Sequence, residues 1–316
     1  MRSPRRFRRI FAALAVLALV LAALVGVSIL TLPSVAYLAK PGVSMVITVK
    51  DWERKNHPFV VGPRNPRWTP YGVLPGALKK AVVASEDANF YSHEGVDYEA
   101  LREAIKTDLR KGKFVRGGST ITQQVAKNLF LTREKTLIRK VKEVVLARRM
   151  DDALSKSRIL ELYLNVIELG PMVYGIGHAA HYYFGKNPSA LTVRECAFLA
   201  SMLPGPKVYN PYRKMDRVMK RSDRILRRMV AARLISREEY DAAMAEVPNL
   251  AGLARKVEKT LSTPPPEEKS PEEAPGGGPV VIESSPAVPR EPGSEEAPAL
   301  GSPDTEKSPG ASAPVR

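Results

Sequence analysis

The chain contains a single cysteine, Cys196, so no intrachain disulfide can form. Its neighbours Ala197, Phe198 and Leu199 mark it as a small core residue and not a reactive thiol. Histidine is nearly as scarce. Of His57, His93, His178 and His181 only the last two are close, three apart in a helical stretch with no carboxylate alongside, which argues against a zinc site. Strand signals are few and no internal repeat is evident. Two further absences lie near the ends. No charged residue occurs from Ile10 to Ala39, and from Pro265 to Arg316 aliphatic clusters are almost missing while Pro, Glu, Ser and Gly crowd together. A segment of the second kind cannot bury enough apolar surface to offset its ordering entropy, and 251–316 is predicted to be a disordered tail.

What is abundant is positive charge. The 49 Lys and Arg against 33 Asp and Glu give a net +16, and it is unevenly spread. From Pro265 onward there are ten acidic and four basic residues, so the first 264 residues carry +22. Arg2, Arg5, Arg6, Arg8 and Arg9 precede the uncharged run, whose stretch from Ile10 to Leu32 is long enough to span about 30 Å of hydrocarbon as a helix. A cleaved signal would have an apolar stretch of only about 7 to 15 residues, so retention as an anchor is expected. The arginines then stay in the cytoplasm and everything after Lys40 faces outward. The short Arg5-Arg6-Phe7 run is explained by that rule without invoking a twin-arginine export signal. Beside a membrane such a basic domain suits anionic headgroups and phosphates, at about 1 kcal/mol per residue near the surface. No nucleic-acid recognition motif accompanies the charge, and no nucleic-acid partner is expected. The organisation read from these patterns is a basic segment over 1–9, a transmembrane anchor over 10–38, one domain over 41–250 and the tail.

Within the domain, Val43 to Val49 alternates weakly, as a strand or a lead-out from the membrane, and Pro58, Pro63, Pro66, Pro70 and Pro75 punctuate a loop. From Gly76 the period is helical almost to Ala251. The predicted helices are an alanine-rich one running into Glu86, then Tyr98 to Leu109, Thr120 to Leu131, Glu134 to Leu154, Lys156 to Leu169, Leu191 to Leu203 and Lys214 to Leu234. The class is mainly α.

Three runs carry chemistry. Glu86 closes a helix with an apolar face and is followed by Asp87, Phe90 and His93. A glutamate among apolar and aromatic groups has its charged form desolvated, which tunes it upward for proton transfer near neutral pH. Taken alone, the run reads equally well as a solvated acid pair at a helix end. Next, Gly117-Gly118-Ser119 feeds a helix start with Ser119 or Thr120 as cap, and Thr120, Gln123 and Gln124 offer hydroxyls and carboxamides within a turn, suited to sugar hydroxyls or phosphate oxygens. Third, Glu143 shares a helix face with Arg139 at i,i+4 and Lys140 at i,i+3. An exposed ion-pair lattice worth a few tenths of a kcal/mol per pair is one reading; a cradle for a pyrophosphate leaving group is the other.

These residues occur as ordered motifs: Glu86-Asp87-x-x-Phe90-x-x-His93-x-Gly95-x-Asp97, Gly117 to Gln124, Arg139-Lys140-x-x-Glu143, and Arg158 to Asn165. Gly170, Gly175, Tyr183-Phe184-Gly185-Lys186 and Leu203-Pro204-x-Pro206 follow. Over roughly 70–213 the chain resembles the peptidoglycan glycosyltransferases. That resemblance implies a lysozyme-like helical glycosyltransferase domain behind one N-terminal transmembrane helix, polymerising lipid II at the outer face of the cytoplasmic membrane. It implies that Glu86 is the general base toward the acceptor 4-hydroxyl and Glu143 the second acid, near the donor pyrophosphate. Lys127, Arg139 and Lys140 become phosphate contacts, Ser119, Thr120, Gln123 and Gln124 shape the site, and Asp87, Phe90, Asn128 and Lys142 line it. No resident cofactor is implied; any Mg²⁺ or Mn²⁺ would ride on the pyrophosphate. The partners implied are lipid II, the lipid-linked growing glycan, the membrane and cell-wall synthesis proteins.

The chain departs from the family pattern at Ala88-Asn89, where many members place a basic residue before the phenylalanine, and at Lys135, where some carry arginine. No serine is followed by lysine at the third position, the nucleophile signature of the transpeptidase that two-domain relatives carry, so a monofunctional enzyme is expected. Two rivals remain: a glycan-cleaving lytic transglycosylase or lysozyme, which needs no clustered cations, and a catalytically silent anchored scaffold, against which intact Glu86 and Glu143 argue.

Overall fold

The computed structural model describes residues 4–51, 53–112, 118–132, 134, 136–203, 205 and 208–251. Gly117, Lys135, Pro204, Pro206 and the predicted tail beyond 251 lie outside the described residues. The first element, α1 (Pro4–Leu30), contains in Ala12–Leu30 a segment long and apolar enough to cross a membrane, with a mean hydropathy of 2.9. The uncharged run over 10–38 is nevertheless divided. The helix ends at Leu30, and Val35 and Leu38, the latter in a 3₁₀ turn over Ala36–Ala39, are buried in the core of the globular part. Apolarity alone does not distinguish a side chain that faces lipid from one that faces a protein interior. Where α1 stops, the Arg149 guanidinium reaches the carbonyls of Ile29 and Leu32, each at 3.5 Å, and adds donors to a helix end where the Leu32 amide also bonds the Ile29 carbonyl.

An antiparallel hairpin follows, β1 (Met45–Lys50) with β2 (Asn56–Val61), burying Met45, Ile47 and Val49 on one face. Pro58, read from sequence as part of a loop, stands in β2 opposite Thr48. Both strands of a two-stranded sheet are edges, the place in a sheet where proline is tolerated.

The helical body comprises α2 (Gly76–Glu86), α3 (Tyr98–Lys111), α4 (Ile121–Phe130), α5 (Leu137–Ala153), α6 (Lys156–Val166), the short hairpin of β3 (Glu168–Gly170) and β4 (Val173–Tyr174), α7 (Ile176–Ala179), α8 (Val193–Met202), α9 (Pro211–Ala231) and α10 (Arg237–Ala245). A π turn over Ala180–Phe184 continues α7. The mainly α class is as expected. Differences are local: α5 starts at Leu137 because Thr136 caps it, and α6 ends at Val166, after which Leu169 joins β3 and accepts from the Tyr183 hydroxyl at 2.8 Å. Two sub-bundles position the site. In one, α2 packs against α8 and α9; in the other, α4 packs against α5 and α6. Cys196 lies fully buried in α8, as its neighbours suggested, and burial pushes its thiol well above the ordinary range.

Candidate active site

Glu86 is the last residue of α2, where the helix axis delivers its side chain to the junction of the two sub-bundles. The side chain is 10% exposed. Gln124 Nε2 donates to one carboxylate oxygen and Arg221 Nη2 to the other, both at 3.3 Å. Burial raises the Glu86 pKa above the ordinary carboxylate range, and the hydrogen bond from Gln124 and the charge of Arg221 oppose the rise. Gln124 is itself oriented by Tyr163, whose hydroxyl donates to its Oε1 at 3.3 Å. Tyr163 is fully buried, and burial with the nearby acids keeps its hydroxyl protonated. The proton acceptor thus stands in a chain of oriented dipoles, Tyr163 to Gln124 to Glu86.

Asp87 has a different task. Its carboxylate accepts from the Ile121 amide at 2.9 Å and lies 3.0 Å from His93 Nε2, which ties the end of α2 to the start of α4. Thr120 caps α4: its hydroxyl accepts from Gln123 N at 3.1 Å and donates to the Gly95 carbonyl at 2.6 Å, while Gln123 Oε1 accepts from Thr120 N. Gly95 has φ +79°, and a Cβ there would stand 2.6 Å from the Ala147 carbonyl oxygen of α5, so only glycine lets the loop approach so closely. Asn89, one of the departures from the family pattern, donates to Asp97, which caps α3.

The second acid, Glu143, has a side chain 4% exposed and accepts from Arg139 Nη1 at 2.6 Å and from Lys140 Nζ. An exposed lattice is therefore not the right description of this cluster. Lys140 Nζ also donates to Ser119 Oγ at 3.0 Å. Ser119 precedes the α4 cap and Gln124 follows it by one turn, so the opening of α4 touches both acid clusters within about two turns of helix. Lys127 is exposed, and Asn128 and Lys142 are half-buried on the same pair of helices. Among the described residues no group of three or more His, Cys, Asp or Glu could hold a metal ion.

Several residues expected to touch substrate are buried in this structure. Phe90 is fully buried, with Lys156 Nζ 5.0 Å from its ring centre, and Thr120, Gln123 and Asp87 are buried, with the Thr120 hydroxyl, Gln123 Oε1 and the Asp87 carboxylate engaged in the bonds above. Their physical role here is to hold α2, α4 and the intervening loop in register. The Arg158 to Asn165 motif is likewise a clamp. Arg158 donates to the Leu38 carbonyl at 2.8 Å and pairs with Glu161; Glu161 accepts from Trp68 and Tyr71; Asn165 bonds both backbone groups of Thr69. Sequence reasoning missed Arg221 and Tyr163. Arg221 stood in a lysine- and arginine-rich helix without a recognisable run, and Tyr163 was visible only as one letter of its motif.

Residues 56–230, more than half the chain, match the Transglycosylase family profile. The chain belongs to that family. It is 47% identical over 168 residues, 53% of this chain and 73% of the relative, to the biosynthetic peptidoglycan transglycosylase of Herminiimonas arsenicoxydans. It is 48% identical over 167 residues, 53% of this chain and 70% of the relative, to that of Paraburkholderia xenovorans. Penicillin-binding protein 1A of Escherichia coli is 44% identical over 176 residues, which are 56% of this chain and 21% of that protein. A solved structure, penicillin-binding protein 1A of Haemophilus influenzae, aligns over 69% of this chain and 24% of its own with a TM-score of 0.34 and 22% identity, too weak a likeness to add to the fold described above. All the motif runs that define the two acid clusters fall inside the matched range.

Proposed function

We propose that this chain polymerises lipid II into β-1,4-linked glycan, with Glu86 as general base. The observation that carries the reading is a largely buried, raised-pKa carboxylate oriented by Gln124 and Arg221 and joined through the start of α4 to the cationic cluster around Glu143. In the step proposed, Glu86 takes the proton of the acceptor 4-hydroxyl as that oxygen attacks the anomeric carbon of the lipid-linked donor. The bond to the pyrophosphate breaks with inversion, the pair of electrons leaves on the pyrophosphate, and Glu86 later returns its proton to solvent. General-base assistance supplies about 10² to 10⁴-fold. Arg139, Lys140, Lys142 and Lys127 meet the charge that develops on the departing group, and Glu143 keeps the first two aimed. A divalent ion carried by the pyrophosphate would add to the same stabilisation.

In this reading α1 is a single-pass anchor in the inner membrane, with the arginine-rich N-terminus inside and the catalytic part outside, where lipid II and cell-wall synthesis proteins are met. The product of the proposed reaction is a lengthened glycan strand. The test is incubation of the detergent-solubilised protein with labelled lipid II, with and without a moenomycin-type inhibitor. Inhibitor-sensitive polymer is the expected product. Absence of polymer from folded protein, or cleavage of finished glycan instead, would refute the reading.

A further inference from the structure

The sequence Pro211 to Ala231 of α9 holds eight Lys and Arg and two Asp, and one of these, Asp223, is engaged by Arg194 of α8 at 2.6 Å. The helix kinks at Lys214, and beyond it Arg217, Arg221, Arg224 and Arg228 recur at spacings of four, three and four, the spacing of one helix face. That stripe borders the buried one formed by Val218, Ser222, Ile225 and Met229. Its second member, Arg221, grips Glu86 and lies over the Tyr209 ring at 5.1 Å. The other three are exposed, and among the described residues none of them forms an ion pair with a carboxylate. A cationic rail about 16 Å long therefore passes the proton acceptor and extends beyond it, the length of about five extended residues.

We propose that this rail binds the carboxylate-bearing peptide arm of the sugar substrate delivered to Glu86, an inference that rests on the polymerase reading. A peptidoglycan precursor is both sugar and peptide, and the acceptor sugar must sit at Glu86. Its peptide must then leave the site along some neighbouring surface. The rail is continuous with the site, opposite in charge to free carboxylates, and, at its three exposed members, without a carboxylate partner within the described part of the chain. Guanidinium groups spaced a helical turn apart bind carboxylates in fork geometry at successive positions.

The test uses the full chain, Arg217→Ala/Arg224→Ala/Arg228→Ala, and two precursors that differ only in whether the peptide carboxylates are free or amidated. An exposed cation–carboxylate contact is worth about 1.4- to 5-fold in affinity. The triple variant is accordingly expected to lower kcat/KM for the free-carboxylate precursor by about threefold to a hundredfold relative to the amidated one. Lys55→Ala/Lys106→Ala, which removes exposed charge elsewhere, should leave that ratio at the wild-type value. Equal losses on both precursors, with weaker binding to anionic vesicles, would overturn the proposal in favour of a headgroup-binding face. An unchanged ratio without vesicle effects would overturn it in favour of a solvated helix face. Should the triple variant not fold, Arg217→Ala/Arg224→Ala gives the same comparison at smaller amplitude. A wild-type enzyme that polymerises neither precursor would instead refute the underlying reading.

Discussion

Replacing Gln124 by methionine separates the two jobs its carboxamide performs. Methionine has nearly the same volume, so no cavity opens, but the donor to Glu86 and the acceptor from Tyr163 are both lost. Tyr163 is fully buried, and its hydroxyl is left without the partner it has in the native site, at a cost of about 1–3 kcal/mol. For a domain of this size that corresponds to a fall in Tm of about 2–12 °C. The chemistry shifts separately. Gln124 donates to the ionised carboxylate and so lowers a pKa that burial raises; without it the Glu86 pKa rises further. A base acts in its ionised form, so the rising limb of the pH–rate profile must move to higher pH. Adding Tyr163→Phe to Gln124→Met removes the orphaned hydroxyl and should recover about 1–2 kcal/mol while leaving the displaced profile where it is. Thermal denaturation and initial-rate polymerisation across pH measure the two effects. A profile that stays in place or moves to lower pH would show that Gln124 does not support the charge of Glu86. Failure of the added Tyr163→Phe change to recover stability would show that the buried hydroxyl has another partner.

Glu86→Gln should abolish polymerisation while keeping the fold. The wild-type carboxyl, with its raised pKa, contributes stability at low pH that is lost as pH rises through that pKa, so the Gln variant should gain stability relative to wild type as pH increases, which paired melts at acidic and neutral pH would check. Arg139→Ala/Lys140→Ala leaves Glu143 buried without its cations and should cost about 3 kcal/mol as well as donor binding; a loss of only a few tenths in denaturant titration would contradict the burial described. Arg158→Ala severs bonds to the Leu38 carbonyl and Glu161 and should destabilise by about 3 kcal/mol, with activity of the remaining folded enzyme largely kept at low temperature. A chain ending at Thr263 is expected to polymerise at the wild-type rate, and a folded truncation with most activity gone would show that the segment beyond it takes part.

Local pattern was enough for the helices, the long apolar N-terminal segment and the ordered motifs, because helical period, capping residues and a run of uncharged side chains are properties of neighbours along the chain. Glu86 and Glu143 were singled out by short runs around them, but each run alone read equally well as a solvated acid pair or an ion-pair lattice, and it was the motif resemblance that gave them roles. Which partners each remaining motif residue takes within the fold was decided by tertiary structure. Thr120 and Gln123 look like sugar ligands in sequence, yet they close a capping box, and Asp87 turns out to bond a helix amide 34 residues away. Arg221 reaches Glu86 across 135 residues, and Val35 and Leu38 leave the apolar run to enter the core. Hydrogen-bond satisfaction and burial depend on which groups meet after folding, and a linear pattern carries no record of those meetings.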